Sequence, residues 1–372
     1  MVVSAEGLRD VIAGKTAIST VDGLAGKLLY RGYNIHDLAT RSTFEETAYL
    51  LWHGKLPTRQ ELADAAATLA AGRTLPEPIP PHLRALPQQA HPLDVLRTVV
   101  SLLGIFDPDA QDISHEANVR KAYRLTGQVA TTIATWHRLR SGQPPVTPRA
   151  DLSAAANFLY MLFGKEPDPV AARTMDVDFI LHADHEFNAS TFTARVITGT
   201  HSDMHSAITG AVGALKGPRH GGAAEDVSDM LEEIGSPDRA EQWVKEKLAQ
   251  HVRIPGFGHP VYKTEDPRAV HLRRMARELS EQTGNLQWYE ISEKIREVML
   301  REKGLHVNVD FYAASVYHML GIPSDLYTSI FAVSRIVGWT AHVMEQYGGR
   351  IIRPRAEYIG PVDLAYVPID QR

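Results

Sequence analysis

The sequence predicts an all-α fold with one minor β-hairpin near its N-terminus. Three observations carry that prediction. Apolar residues recur at helical spacing in segment after segment, β-forming runs are confined to residues 16–35, and strands never alternate with helices as a doubly wound sheet requires.

The elements follow in order. Ala17-Ile18-Ser19-Thr20-Val21 leads into Asp22-Gly23 and then Leu28-Leu29-Tyr30, and Asp-Gly between β-formers is a hairpin signal. Ser42-Thr43-Phe44-Glu45 and Thr58-Arg59-Gln60-Glu61 both fit the capping box, in which hydroxyl and carboxylate each satisfy the other's backbone N–H. Leu62, Ala65, Ala66 and Leu69 then continue at helical spacing. Pro92 suits the first turn of a helix bearing Leu93, Leu96, Val99, Val100 and Leu103. Asn118 to Leu139 reads as one long helix stopped by Ser141-Gly142-Gln143-Pro144-Pro145. Ser236-Pro237 opens a helix through Leu248, and the last long one runs from about Ser324 to Tyr347, ending at Gly348-Gly349.

At 372 residues the chain is long enough for two domains with a substantial core. The formal charge of −5 provides no overall basic field for nucleic acid, so an anionic ligand must be held by local arginines. The absence of cysteine excludes disulfides, thiolate zinc sites and cysteine nucleophiles. The start, Met1 to Leu8, lacks a basic stretch followed by an apolar run, and no uncharged apolar stretch is long enough to span a bilayer. A soluble cytoplasmic protein is expected.

Titratable groups concentrate between His182 and His220, in the run His182-Ala183-Asp184-His185-Glu186 and again in Lys216-Gly217-Pro218-Arg219-His220. Such density is costly in a core and common in active sites. His220 precedes a helix start with Glu225 and Asp226 in its first turn. The positive helix end there would keep an imidazole neutral and able to donate to a developing enolate oxygen. Alone, it reads more readily as a capping or turn histidine. His259 lies in the turn Gly256-Phe257-Gly258-His259-Pro260, where glycines let backbone and ligand approach closely. Arg268 follows nine residues later, after Asp266-Pro267, and a guanidinium beside an imidazole suits a keto-acid carboxylate. Asp310, in Val307-Asn308-Val309-Asp310-Phe311, has an apolar setting that raises a carboxyl pKa and makes a better base; it would equally serve as a helix N-cap. Arg335 interrupts an apolar helix and calls for a fixed anionic partner, protein or ligand. Arg353, in Arg353-Pro354-Arg355, is by itself a charged tail residue.

The run from Gly256-Phe257-Gly258-His259 through Asp266-Pro267-Arg268 resembles the signature of the citrate synthase family, and the likeness extends from Gly23 to Gly360. It is nearest to the short, dimeric bacterial and archaeal form, without the N-terminal β-domain of the long hexameric form. The resemblance implies a two-domain helical fold, with residues 1–218 and 321–372 in a large domain at the dimer interface and 219–320 in a smaller mobile one. It implies condensation of acetyl-CoA with oxaloacetate, with no cofactor and no metal. His220 would bond the enol oxygen, Asp310 would take the methyl proton and His259 would donate to the oxaloacetate carbonyl. His185, Arg268 and Arg335 would hold the oxaloacetate carboxylates, with Arg353 arriving from the second subunit of a homodimer. Lys263, Arg301 and Lys303 match positions near the CoA phosphates. Two residues depart from the family pattern: Arg219 stands where relatives often have Leu, and Ala224 where they often have Asn.

Three other readings compete. A metal hydrolase is raised by His182, His185, His201 and His205, although no H-E-x-x-H occurs. A non-catalytic scaffold on the same fold would have no need of a base opposite two imidazoles. A 2-methylcitrate synthase, using propionyl-CoA, would employ the same residues, because one methylene is worth only about 1–3 kcal/mol of discrimination.

Overall fold

The computed structural model describes residues 6–8 and 11–372; most of the Met1–Leu8 start lies outside them. Strands β1 (Ser19–Asp22), β2 (Lys27–Tyr30) and β3 (Tyr33–Asn34) form an antiparallel meander in that order, with Ser19 opposite Tyr30 and Tyr30 opposite Tyr33. The β1–β2 turn is shaped by the Asp22 carboxylate, which accepts from the amides of Leu24 and Ala25. The expected hairpin thus gains a third strand, because Arg31 and Gly32 both take positive φ and reverse the chain again.

Helices make up nearly everything else. The first ten are α1 (Ile35–Arg41), α2 (Phe44–His53), α3 (Arg59–Ala71), α4 (Ile79–Ala85), α5 (Pro92–Phe106), α6 (His115–Arg140), α7 (Ala154–Phe163), α8 (Pro169–His182), α9 (Ala189–Thr198) and α10 (Met204–Leu215). Then come α11 (Ala223–Ile234), α12 (Pro237–Ala249), α13 (Ala269–Thr283), α14 (Gln287–Lys303), α15 (Val309–Met319) and α16 (Tyr327–Tyr347). The Thr58–Glu61 capping box forms as read from the sequence. The earlier one shifts by a residue: Thr43 caps α2 by accepting from the Glu46 amide, because the Ser42 amide is already committed to Leu38 O, closing α1. Ser114 caps α6, whose first residue, His115, lies three residues ahead of the predicted Asn118, and a short 3-10 turn over Ser324–Leu326 precedes α16.

α16 is the axis of the core. It packs against α2, α6, α8, α9 and α10, and Trp339 and Arg335 are both buried on it. Trp52 of α2 donates its indole N–H to Thr340 Oγ1 (2.9 Å) and Val337 O (3.2 Å), fixing the α2–α16 crossing. α11 to α15 pack chiefly on one another and dock on this body through Thr328–Glu225, Tyr317–Asp178 and the His36–His271 pair. Beyond α16 the chain runs out across the surface, exposing Ile351, Tyr358, Ile359, Leu364 and Tyr366. No helix among the described residues is long and apolar enough to cross a membrane.

Candidate active site

His220 stands in the turn between α10 and α11, two residues before the α11 cap Gly222. The Ser190 amide, in the first turn of α9, donates to its Nε2 (3.2 Å), with Ser190 Oγ at 2.8 Å. The indole of Trp339 donates to that hydroxyl (3.1 Å), fixing it from the α16 side. With Nε2 accepting, the imidazole proton resides on Nδ1. Burial, reinforced by the Arg335 charge, lowers the His220 pKa to about 4. The neutrality expected from a helix end therefore has another cause: removal from water next to a buried cation.

His259 is fixed as the opposite tautomer. Its Nδ1 accepts from the amides of Val261 (3.0 Å) and Tyr262 (3.1 Å), so Nε2 carries the proton. Burial and the nearby Arg268 bring its pKa to about 4. The turn depends on Gly256 and Gly258, at φ 77° and 76°, and a β-carbon on Gly256 would strike the Phe311 ring. Asn308 ties this turn to the start of α15: its backbone N–H donates to Gly256 O (2.9 Å), and its side-chain Nδ2 donates to Gly258 O (3.1 Å).

Asp310 lies in the first turn of α15. The N-cap role belongs to Asn308, whose Oδ1 accepts from the Asp310 amide (3.1 Å), because Asp310 is already inside the helix. The Asp310 carboxylate is half-buried and receives no hydrogen bond from the described residues. Burial raises its pKa, against the pull of His182 and Arg268.

Two buried arginines face the same region. Arg268, at the start of α13, is gripped by Asp266 through Nε (3.0 Å) and Nη2 (2.8 Å). Burial opposes ionisation of Asp266, but Arg268 overcomes it and holds the carboxyl below its usual range. Arg335 donates only its Nε, to His182 O (2.7 Å), and its guanidinium sits 4.4 Å over the Phe331 ring. Burial lowers its pKa to about 10, so it remains a cation at neutral pH. Among the described residues no carboxylate bonds it, which leaves its fork available to a ligand anion.

His185 completes the cluster. Its ring lies 5.1 Å from that of His259 and 5.6 Å from Tyr262. Its Nε2 is buried without a hydrogen-bond partner, an arrangement stable only if something polar arrives there. Burial, then Arg268, His259 and Arg335, drives its pKa well below the usual histidine value.

The remaining sequence candidates do not join this cluster. Lys263 sits in the His259 turn, exposed, with its amide on Gly23 O. Arg301 and Lys303 occupy the last turn of α14, where Arg301 is paired to Glu241 (2.7 Å) and Glu302 (3.1 Å). Arg353 is exposed on the C-terminal run. The histidines behind the metal reading are dispersed: His182 bonds its own helix at Asp178 O, and His205 faces Asp107 (3.5 Å) and Asp203 (3.9 Å). No group of three or more His, Asp or Glu placed to hold a metal ion occurs among the described residues.

Sequence reading missed Ser190, Trp339 and Asp266. Asp266 had a local signal, since a carboxylate two residues before an arginine can chelate it. Ser190 and Trp339 had none, being brought together from α9 and α16 only by folding.

A mostly helical frame sets two neutral imidazole donors of opposite tautomer and a half-buried carboxylate among buried arginines, the groups required by the class of enzymes that form carbon–carbon bonds through an enol. The family model described as "Citrate synthase, C-terminal domain" matches residues 7–355. Citrate synthase 2 of Bacillus subtilis is 49% identical over 368 residues, 98% of each chain. The 2-methylcitrate synthase of Shewanella oneidensis is 42% identical over 368 residues, 98% of this chain and 97% of that one. Among solved structures, the ternary complex of carboxymethyl coenzyme A and oxaloacetate with citrate synthase from Thermoplasma acidophilum superposes with a TM-score of 0.93 at 35% identity, covering 99% of each chain. The chain belongs to the citrate synthase family.

Proposed function

We propose that the protein condenses acetyl-CoA with oxaloacetate and water, giving citrate and CoA. The observation that carries this reading is the pair of oppositely fixed neutral imidazoles, His220 with its proton on Nδ1 and His259 with its proton on Nε2. Each is a proton donor aimed away from its own anchor, as a reaction with two developing oxyanions requires. Asp310 takes a proton from the acetyl methyl while His220 donates to the thioester oxygen, forming the enol. The enol carbon adds to the oxaloacetate carbonyl carbon, and His259 donates to that carbonyl oxygen. Water then cleaves the citryl thioester. A raised carboxyl pKa makes Asp310 a stronger base for a weak carbon acid, and such groups contribute about 10²–10⁴-fold each.

His185, Arg268 and Arg335 bind the oxaloacetate carboxylates; the orphaned His185 Nε2 and the open Arg335 fork support this role. Lys263, Arg301 and Lys303 serve CoA phosphates at the rim. Residues 219–320 act as a mobile domain against 1–218 and 321–372, closing at Gly217-Pro218 and Gly256-Phe257-Gly258 to exclude water until the citryl thioester forms. The protein works as a homodimer, with Arg353 reaching the partner's site. Support comes from the C-terminal run, where Ile359 is 94% and Leu364 78% exposed, an apolar surface that calls for cover. The chemistry needs no cofactor or metal, since side chains carry every proton. The bacterial and archaeal relatives support a cytoplasmic location.

The test is CoA release from acetyl-CoA and from propionyl-CoA, each with and without oxaloacetate. Oxaloacetate-dependent release with acetyl preference is expected. Propionyl preference would move the chain to the 2-methylcitrate synthase side of its family, and no release from either would refute the catalytic reading.

A further inference from the structure

Beside the proposed oxaloacetate-binding residues runs a file of ionisable groups, buried except at its half-buried Glu345 end, that the chemistry above does not use. Glu345 accepts from Arg195 Nη1 (2.7 Å), and the same nitrogen donates to His342 Nδ1 (3.0 Å). His342 Nε2 lies 3.3 Å from both carboxylate oxygens of Asp184. A guanidinium only donates, so His342 Nδ1 accepts and its proton must sit on Nε2, facing Asp184. Both His342 and Asp184 are fully buried.

Asp184 is held from every side. The Ser19 hydroxyl donates to it from β1. The Tyr30 hydroxyl, from β2, donates to its carbonyl (2.9 Å) and accepts from its amide (3.1 Å). Its carboxylate and Ser19 Oγ together receive the amide of Glu186, a residue whose φ of 53° is left-handed. α16 presses on the same loop through the Gly338 amide, which donates to Ala183 O (3.0 Å), and a β-carbon at Gly338 would collide with Asp184.

Asp184 and His342 each adjoin a residue proposed to bind substrate. Asp184 is the chain neighbour of His185, whose backbone must turn immediately afterwards through Glu186. His342 lies on α16 seven residues, two turns, beyond Arg335, so both occupy one face of that helix. The Asp184–His342 bond therefore sets the register between the loop carrying His185 and the helix carrying Arg335.

We propose that Asp184, through Ser19 and His342, is a positioning residue for oxaloacetate: it fixes His185 and Arg335 at the spacing of the substrate's carboxylates without touching the substrate. The inference rests on the oxaloacetate role given to those two residues above.

Calorimetric titration of the intact protein with oxaloacetate tests it, alongside the KM for acetyl-CoA. Residues that orient metal ligands control affinity by about 10–100-fold, and by the same logic Asp184→Asn should weaken oxaloacetate binding about tenfold or more. His342→Leu should do the same. His342→Gln, whose amide N–H replaces the Nε2 proton, should restore binding to within about threefold of wild type, and KM for acetyl-CoA should change less than about twofold throughout. Wild-type affinity in folded Asp184→Asn or His342→Leu overturns the proposal, as does an equal loss for both substrates, which marks general loosening. Should Asp184→Asn fail to fold, the contrast between His342→Gln and His342→Leu decides. Wild-type protein that binds no oxaloacetate overturns the functional reading itself, a result distinct from wild-type binding that the variants leave unchanged.

Discussion

Arg268 and Arg301 each face a carboxylate at close range, yet they belong to different kinds of surface. The Arg268 side chain is 4% exposed and its partner Asp266 1%, whereas Arg301 is 51% exposed and Glu241 32%. Removing the counter-charge from a buried guanidinium already paired to it is costly, so Asp266 holds Arg268 in one geometry. A surface pair contributes about 0–1 kcal/mol, so Arg301 can exchange Glu241 for another anion at little cost. The proposed oxaloacetate end is thus formed before substrate arrives, while the proposed CoA end consists of solvated charges on separate elements. On the proposed assignment, the small dianion would be recognised by rigid complementarity and the large, flexible thioester by contacts that adapt.

The comparison breaks most sharply at Asp310, which belongs to the rigid end but binds neither carboxylate. Asp310→Asn should reduce kcat by about 10²–10⁴-fold while the oxaloacetate Kd stays near wild type. Rapid-quench measurement of enolisation, with calorimetry for binding, checks both halves. A variant with near-normal turnover would assign the base to another group.

Asp266→Asn probes the rigidity itself. It leaves Arg268 as a buried charge without a counter-ion, a change that costs about 3–5 kcal/mol. Denaturant unfolding should register that loss, and oxaloacetate affinity should fall with it. An equally stable variant would mean that the Arg268 environment is wetter than its burial implies.

How much of this was legible in the sequence divides along the same line. Helix starts were readable because caps are local: Thr58 and Glu61 are three residues apart and form the box they spell. The His259 turn was readable because glycines announce their own backbone. The rigid end's wiring was not. Ser19 and Asp184 are 165 residues apart, and Asp184 and His342 158, so no window contains either pair. The Asp310 capping role failed for a related reason, since two polar residues two positions apart compete for one role and the fold chose Asn308. The third strand was missed because two residues of strand carry no alternation to detect.

Acid should act on the rigid end first. His220 and His259 titrate near 4 in the native protein, and His185 lies well below the ordinary 6.5. In the unfolded chain all three take protons near 6.5, so below that pH the unfolded state binds more protons than the native one. The stability these histidines contribute is complete above pH 6.5 and is lost as the pH falls from 6.5 towards 4. Asp310, with its raised pKa, acts in the opposite sense but is a single group. Tm should therefore drop between pH 7 and pH 5, and the His220→Gln, His259→Gln double variant should show a shallower drop. Parallel profiles would place the acid sensitivity elsewhere.

The smallest effect should come from the adaptable rim, and it is the one that tests the comparison from the other side. Arg301→Ala removes one exposed charge from a surface pair, so stability should change by less than about 1 kcal/mol. If the CoA end is made of interchangeable solvated cations, KM for acetyl-CoA should rise only a few-fold, on the order of one screened phosphate contact, and kcat should hold. Steady-state kinetics at low and at physiological ionic strength separates the cases. A rise that shrinks with added salt is the signature of a screened rim charge. A large loss that persists in salt would mean that Arg301 becomes buried against the coenzyme, and that the rim acquires, on substrate binding, the rigidity that Arg268 has from the outset.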